Sequence, residues 1–300
     1  MSVCIATYRR PERLAAVLAD LTLQNRRPDE VVVVDNDAAA SARSVVEERL
    51  ELGAPFPIRY AVQPLKNISL TRNKTVELAS GDWLAFLDDD ERAPVAWLGQ
   101  LVEAAARFGA DAILGPVDPI VPANAPDWIR RGRFYDFPRM PTGTVIPPNR
   151  LRFGNVLVNG GWIRGMDGPF DPALGLTGGE DGDLLSRLAQ RGARIVWCDE
   201  ALVHEPVEAS RLCLGWLLRR ALSGGQDFGR HALAGRYGAM SRPKRALFFL
   251  RALAQALAAA VLTVLVWPLG RHHAARWLAT LSANIGKLSV FWGWRYREYA

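Results

Sequence analysis

Four carboxylates in succession, Asp88-Asp89-Asp90-Glu91, are the most chemically loaded point of this sequence. Adjacent acids repel one another, so a cationic partner is expected beside them. A hard divalent cation, Mg²⁺ or Mn²⁺, held by one or two carboxylates and completed by phosphate oxygens and water, meets that need. The plainer alternative is an acidic loop capping a helix that starts near Pro94. A second acidic pair, Glu180-Asp181, follows Gly178-Gly179 and precedes the amphipathic run of Leu184, Leu185 and Leu188. It reads either as a general base carried on a mobile loop or as ordinary favourable charge at a helix N-terminus. Asp35 closes a β-branched run and can accept hydrogen bonds from a base or ribose; as the first acid of Asp35-Asn36-Asp37 it can equally be a turn aspartate. His204 ends an apolar stretch and is a structural histidine or, close to a cation site, a ligand.

These residues need a scaffold that gathers them. Trp83-Leu84-Ala85-Phe86-Leu87 reads as a buried strand delivering the acids at its carboxyl end, where open α/β sheets bind ligands. Ser2-Val3-Cys4-Ile5-Ala6 is a first strand, and Pro11 opens a helix with Leu14, Val17, Leu18 and Leu21 on one face. Glu30 to Asp35 is a second strand, continuous enough to be covered on both faces. A helix to about Leu52, a strand over Ile58–Val62, a helix over Pro94–Phe108 and a strand over Asp111–Val117 continue the alternation of a mostly parallel α/β sheet. Because parallel strands share a direction, Thr7, Asp35 and Asp88 fall at one edge. Residues 118–150 are proline-dense and carry Trp128, Phe134, Tyr135 and Phe137 among arginines, as an aromatic-lined surface for a ring-shaped ligand or a structural cover would. The sheet resumes at Phe153 to Val158.

Composition narrows the function classes. No GxGxxG or GxxxxGKS/T occurs, which argues against a Rossmann dehydrogenase and a P-loop enzyme. Cys4, Cys198 and Cys213 form no CxxC pair and read as reduced thiols, the first two buried. The first strand begins at Ser2, leaving no room for a signal peptide and implying a cytosolic catalytic body. Of 37 Lys and Arg and 31 Asp and Glu, residues 209–300 hold 14 and 2, leaving 23 and 29 in residues 1–208. An anionic partner is therefore expected for the tail alone, and no nucleic-acid-binding motif accompanies its charge.

Taken in order, Ile5-Ala6-Thr7-Tyr8-Arg9-Arg10-Pro11, Val33-Val34-Asp35-Asn36, Asn67-Ile68-Ser69-Leu70-Thr71-Arg72-Asn73, Phe86 to Glu91 and Gly178 to Leu184 resemble the signatures of the family 2 glycosyltransferases, inverting enzymes of GT-A fold that use nucleotide-diphosphate sugars. More narrowly, Leu84 to Glu91, Leu114-Gly115-Pro116-Val117, Gly179-Glu180-Asp181 and Val203-His204-Glu205-Pro206-Val207 resemble the glucosyltransferases that build succinoglycan-type bacterial exopolysaccharide on a lipid carrier. The resemblance implies that Asp88 to Asp90 form the DxD-type motif, with Asp88 and Asp89 toward ribose and sugar and Asp90 the leading ligand of Mn²⁺ or Mg²⁺, joined by Asp88 and His204. It places Thr7, Tyr8, Arg9, Asp35, Asn67 and Arg72 around the UDP moiety, makes Asp181 the catalytic base and gives Glu180 a placing role. The implied reaction moves a hexose, glucose for the narrower resemblance, from a UDP-sugar to a lipid-linked, polyprenyl-diphosphate oligosaccharide. A catalytically silent adaptor in a polysaccharide assembly complex and a polyprenyl-phosphate sugar synthase stand as alternatives. The nearest approach to the Q/R-x-x-R-W motif of processive synthases is His273-Ala274-Ala275-Arg276-Trp277, with His leading, so transfer of one residue is expected.

The expected organisation is a catalytic GT-A domain over residues 1–208, a basic helical linker over 209–245 and membrane-associating helices over 246–300. Ala252 to Leu269 is eighteen residues without a charge, at the lower limit for crossing a bilayer. Basic residues and tryptophans follow it, as in helices lying against an anionic membrane surface. The implied location is the cytoplasmic face of the bacterial inner membrane, peripheral or shallowly inserted; a single span and a soluble helical hairpin are the rivals.

Overall fold

The computed structural model describes residues 1–152 and 154–297; Phe153, read above as resuming the sheet, lies outside them. Its order is β1 (Ser2–Thr7), α1 (Pro11–Thr22), β2 (Glu30–Asp35), α2 (Arg43–Glu51), β3 (Ile58–Val62), α3 (Ile68–Leu78), β4 (Trp83–Phe86), α4 (Trp97–Phe108), β5 (Ala112–Leu114), β6 (Val117–Ile120), α5 (Asp127–Gly132), β7 (Val156–Asn159), α6 (Glu180–Gln190), β8 (Ile195–Trp197), β9 (Val203–Pro206), α7 (Leu214–Leu233), α8 (Arg242–Val266) and α9 (Arg271–Ser289). The chain divides into two compact units. One comprises Met1–Asp118, Phe137–Leu176 and Glu180–Glu205; the other comprises Pro119–Asp136, Thr177–Gly179 and the residues from Pro206 onward. The change of unit falls at Pro206, near the expected boundary at 208, and the segments 119–136 and 177–179 group with the C-terminal helices.

The first unit is a seven-stranded sheet of order β3-β2-β1-β4-β7-β5-β8, with β6 and β9 in a separate two-stranded ribbon. β7 runs antiparallel to β4 and β5, and the other pairings are parallel. Side chains alternate across the pleat, so each strand feeds two cores. Val3, Ile5, Val31, Val33 and Ala85 pack on one face with Leu14 and Leu18 of α1 and Leu98 and Leu101 of α4. Cys4, Val32, Val34, Leu84 and Phe86 pack on the other with Leu184, Leu185 and Leu188 of α6. That two-sided burial is why β2 could be a continuous run of valines. β1 and β2 pair Thr7 with Asp35, and Leu87 follows β4 with its N–H 3.3 Å from the Cys4 carbonyl. The ends of β1, β2 and β4 therefore meet at one edge. Gly115-Pro116 splits the expected single strand over 111–117 into β5 and β6.

The second unit is helical. α7 and α9 approach closely enough that a Cβ on Gly225 would lie 2.0 Å from the Ala283 carbonyl oxygen, and one on Gly286 2.2 Å from that of Leu222. Glycine is required at both. Within the region expected as a basic helical linker, α7 is a twenty-residue helix packed in the unit. Ile129, Tyr135, Val207 and Leu217 form a small core that draws the segment 119–136 into it, and Tyr135 donates through its hydroxyl to the Arg211 carbonyl at 2.7 Å. Arg276, of the sequence that approaches a processive-synthase motif, donates to the Gly132 carbonyl at 3.1 Å.

Candidate active site

The acidic run lies in the turn after β4, and arginines from two helices hold it. Thr7 Oγ1 donates to Asp89 at 2.8 Å, and Arg10 Nη1 reaches both Asp89 and Asp90 at 3.0 Å. Arg13, one turn along α1, lies 3.4 Å from Asp90. Arg72, buried on α3, donates to Asp88 at 3.1 Å and to Glu180 at 2.6 Å. The structure so gives Arg72 different partners from the ribose and base implied for it: it ties the acidic run to the start of α6. Glu91 accepts from the Asp88 N–H at 3.1 Å and is 2% exposed.

Arg10, Arg13 and Arg72 do not offset the crowding and burial of these acids. Burial is the largest influence on the Asp89 carboxyl and, with the charge of Asp90, pushes it up to about 6 against the pull of Arg10. Glu91 is held well above the carboxylate range by burial and by Asp88. Asp88 is raised by the protein packed around it and by Asp90 and Asp181, although Arg72 opposes this and 42% of the side chain stays open. The excess negative charge at an accessible carboxylate fits a divalent cation. Among the described residues no three His, Cys, Asp or Glu side chains form a group able to hold a metal. Asp88 and Asp90 would therefore need a substrate's phosphate oxygens and water to complete the shell, which suits Mg²⁺ or Mn²⁺. His204, the other expected ligand, has its Nδ1 3.8 Å from Asp118 Oδ2, and its backbone pairs with Arg92.

Glu180, Asp181 and Asp183 occupy the first turn of α6, where the helix dipole favours negative charge. Glu180 is buried with Arg72, and Asp183 is paired with Arg187 at 2.7 Å. Asp181 is half-buried, with Oδ1 accepting from the Gly182 N–H at 2.6 Å. The glycine approach to this turn is bent. Gly178 and Gly179 have φ of +82° and +90°, the left-handed region glycine serves, and their carbonyls are engaged. Arg230 donates to Gly178 O at 3.3 Å, and His231 Nε2 sits 3.0 Å from Gly179 O, its Nδ1 facing the Tyr237 hydroxyl at 3.3 Å.

Asp35 is fully buried, its two oxygens taking the N–H of Asp37 at 2.9 Å, the N–H of Ala42 at 2.8 Å and the Tyr60 hydroxyl at 3.0 Å. Its two backbone N–H partners are those of the turn aspartate of the alternative reading. Asn67 caps α3 through the Leu70 N–H at 3.0 Å and donates to Pro172 O. At the rim, the Tyr8 ring is flanked by Arg9 and Lys66, each 5.1 Å from its centroid. Arg9 adopts φ +54° and reaches Asp37 at 3.1 Å. Arg10, Arg13, Arg230 and His231 were not singled out from sequence. Arg10 and Arg13 flank Pro11 at the edge where β1 and β4 end, a signal that topology makes readable; nothing in the sequence ties α7 to residues 178–179.

Residues 2–167 match the family model described as Glycosyl transferase family 2. The chain belongs to glycosyltransferase family 2. It is 40% identical over 236 residues to the succinoglycan biosynthesis protein ExoM of Rhizobium meliloti, covering 77% of this chain and 74% of that protein. It is 35% identical over 123 residues to the galactofuranosyltransferase GlfT1 of Mycobacterium tuberculosis, 38% of that protein's length. In fold this glycosyltransferase is similar to the mannosyltransferase PcManGT of Pyrobaculum calidifontis, solved with GDP-Man and Mn²⁺, at TM-score 0.64 and 18% identity over 96% of this chain and 86% of that one. It is also similar to S. aureus TarS 1-349 in complex with UDP, at TM-score 0.55 and 17% identity over 99% and 92%; it spans 55% of the longer TarS chain. The mostly parallel sheet is therefore the GT-A fold, as expected from sequence.

Proposed function

We propose that this family 2 glycosyltransferase transfers a hexose, glucose by the resemblance of its motifs to the glucosyltransferases of succinoglycan-type exopolysaccharide, from a UDP-sugar to a lipid-linked oligosaccharide in the synthesis of a bacterial exopolysaccharide, with inversion and with a divalent cation. The observation that carries the reading is Arg72 joining Asp88 to Glu180, which brings the acids suited to a cation and a diphosphate beside the acid suited to an acceptor. Solved relatives of this fold bind UDP and, in PcManGT, GDP-Man with Mn²⁺. Held by Asp88 and Asp90, the cation would offset the charge gathering on the departing diphosphate. Asp181 takes the proton of the acceptor hydroxyl as it attacks the anomeric carbon from the opposite side, so an α-linked donor gives a β-linked product. Glu180 fixes Arg72, and Arg72 neutralises part of the acidic run while orienting Asp88. The test is incubation with UDP-glucose, UDP-galactose or UDP-N-acetylglucosamine, Mn²⁺ and a polyprenyl-diphosphate oligosaccharide, followed by NMR of the anomeric linkage. One β-linked residue added per acceptor supports the reading; transfer to polyprenyl phosphate itself would move it to the sugar-lipid synthase.

His231 supplies a further check. His231→Ala should lower the turnover of transfer about ten-fold by loosening the approach to Asp181 by roughly 1.4 kcal/mol. UDP affinity should be unchanged, and His231→Gln, which can still donate to Gly179 O, should restore much of the turnover. Equal loss in Ala and Gln variants would contradict this positioning role.

A further inference from the structure

The helical unit carries a surface that water alone does not suit. α8 buries only a narrow stripe of small residues, Ala252, Ala256, Ala259 and Thr263, spaced as one helix face. The opposite side is apolar and open: Leu253 is 46% exposed, Leu257 62%, Val261 59% and Val264 72%. From Ala252 to Leu269 no charge interrupts it. By length and composition the helix from Arg242 to Leu269 could cross a membrane, yet its flanks argue otherwise. Arg242, Lys244 and Arg245 precede the apolar run, and Arg271, His272, His273 and Arg276 follow it. A span would send one of these cationic ends to the far side, against the bias that keeps Lys and Arg on the cytoplasmic side. It would also bring α9 back across with Arg276, Asn284 and Lys287.

We propose that α8 lies in the plane of an anionic lipid bilayer surface, burying the row Leu253, Leu257, Val261 and Val264 among acyl chains while the basic groups at both of its ends rest on headgroups of the same leaflet. α9 takes the place that water occupies for an ordinary interfacial helix, covering the small-residue stripe. Phe291 and Trp292, 70% and 74% exposed, sit at interfacial depth, where aromatic side chains are favoured. A second copy is the poorer occupant, because antiparallel pairing of two such faces would set the cationic ends against each other. This deepens the reading above and rests on it, since a lipid-carried acceptor resides at such a surface.

The experiment is flotation of the full chain with vesicles of phosphatidylcholine alone and of phosphatidylcholine mixed with phosphatidylglycerol. Binding to the mixed vesicles, weakened by salt, is expected, and Leu257→Glu with Val261→Glu should reduce it about a hundred-fold while melting and UDP binding stay unchanged. Introduced cysteines then fix the topology: Ser241→Cys and Arg271→Cys, each with Cys213→Ser so that only the buried Cys4 and Cys198 remain besides, are bound to sealed vesicles and treated with a membrane-impermeant maleimide. Labelling of both from outside supports the in-plane arrangement; protection of Arg271→Cys until detergent is added shows a span and overturns it. No flotation by a chain that still binds UDP also overturns it and leaves the nucleotide-sugar reading standing. Flotation without UDP binding would sink that reading instead.

Discussion

Asp181→Asn is expected to lower sugar transfer by roughly 10²–10⁴-fold, the usual contribution of a positioned general base, with UDP affinity and melting temperature almost unchanged. Within a single helical turn, Asp181 is left by elimination. Glu180 is buried and ion-paired with Arg72, and Asp183 is paired with Arg187, whereas Asp181 is half-buried and its charge is felt by Asp88. Asn has the same shape and can still accept from the Gly182 N–H through its carbonyl, so the start of α6 should survive and only the proton acceptor is lost. Asp183→Asn is the internal control, with a small effect on transfer. Intact transfer by Asp181→Asn would remove the base from this account and favour a lipid-phosphate acceptor, which needs none.

Asp90→Ala should abolish the part of UDP affinity that depends on Mn²⁺, a loss of about ten- to a hundred-fold. Asp90 is 9% exposed at its side chain and held by Arg10 and Arg13. Its removal leaves Arg10 paired with Asp89 but takes one negative charge from beside Asp88, so the site should attract a cation less. Two readouts separate ligand loss from misfolding: UDP titration without metal, expected to be little changed, and thermal melting. The effect should also depend on pH. A carboxyl whose folded value is raised, as for Asp89 at about 6, keeps its proton in the folded state from its unfolded value near 4 up to that point. Its ionisation then costs stability as pH rises through 6. Cation binding releases such protons, so metal-dependent UDP affinity of the wild type should strengthen between pH 5 and 7 and level off above.

The fold was readable where hydrophobic period and punctuation agreed. The valine run of β2, the face of α1 set by Leu14, Val17, Leu18 and Leu21, and the abrupt change from Phe86-Leu87 to Asp88 each encode an element and its direction. The shared edge of Thr7, Asp35 and Asp88 follows from parallel pairing alone. What a residue does at that edge was less readable, because it depends on long-range partners. Asp35 is consumed by Ala42 and Tyr60, Arg72 by Asp88 and Glu180, and His204 turns toward Asp118; none of these pairings leaves a trace in local spacing. The glycine pair at 178–179 reads as flexibility in sequence; in the fold it is a bend of positive φ whose carbonyls meet Arg230 and His231. The C-terminal helices were expected, but the packing of α7 on α9 was not, since it depends on Gly225 and Gly286 meeting the carbonyls of Ala283 and Leu222, contacts that no local spacing records.

The most direct test of the central claim is calorimetric titration of the wild-type protein with UDP, with and without Mn²⁺. The account predicts binding that Mn²⁺ strengthens at least ten-fold at pH 7. Absence of UDP binding under either condition would contradict it and leave a GT-A domain serving as a silent adaptor.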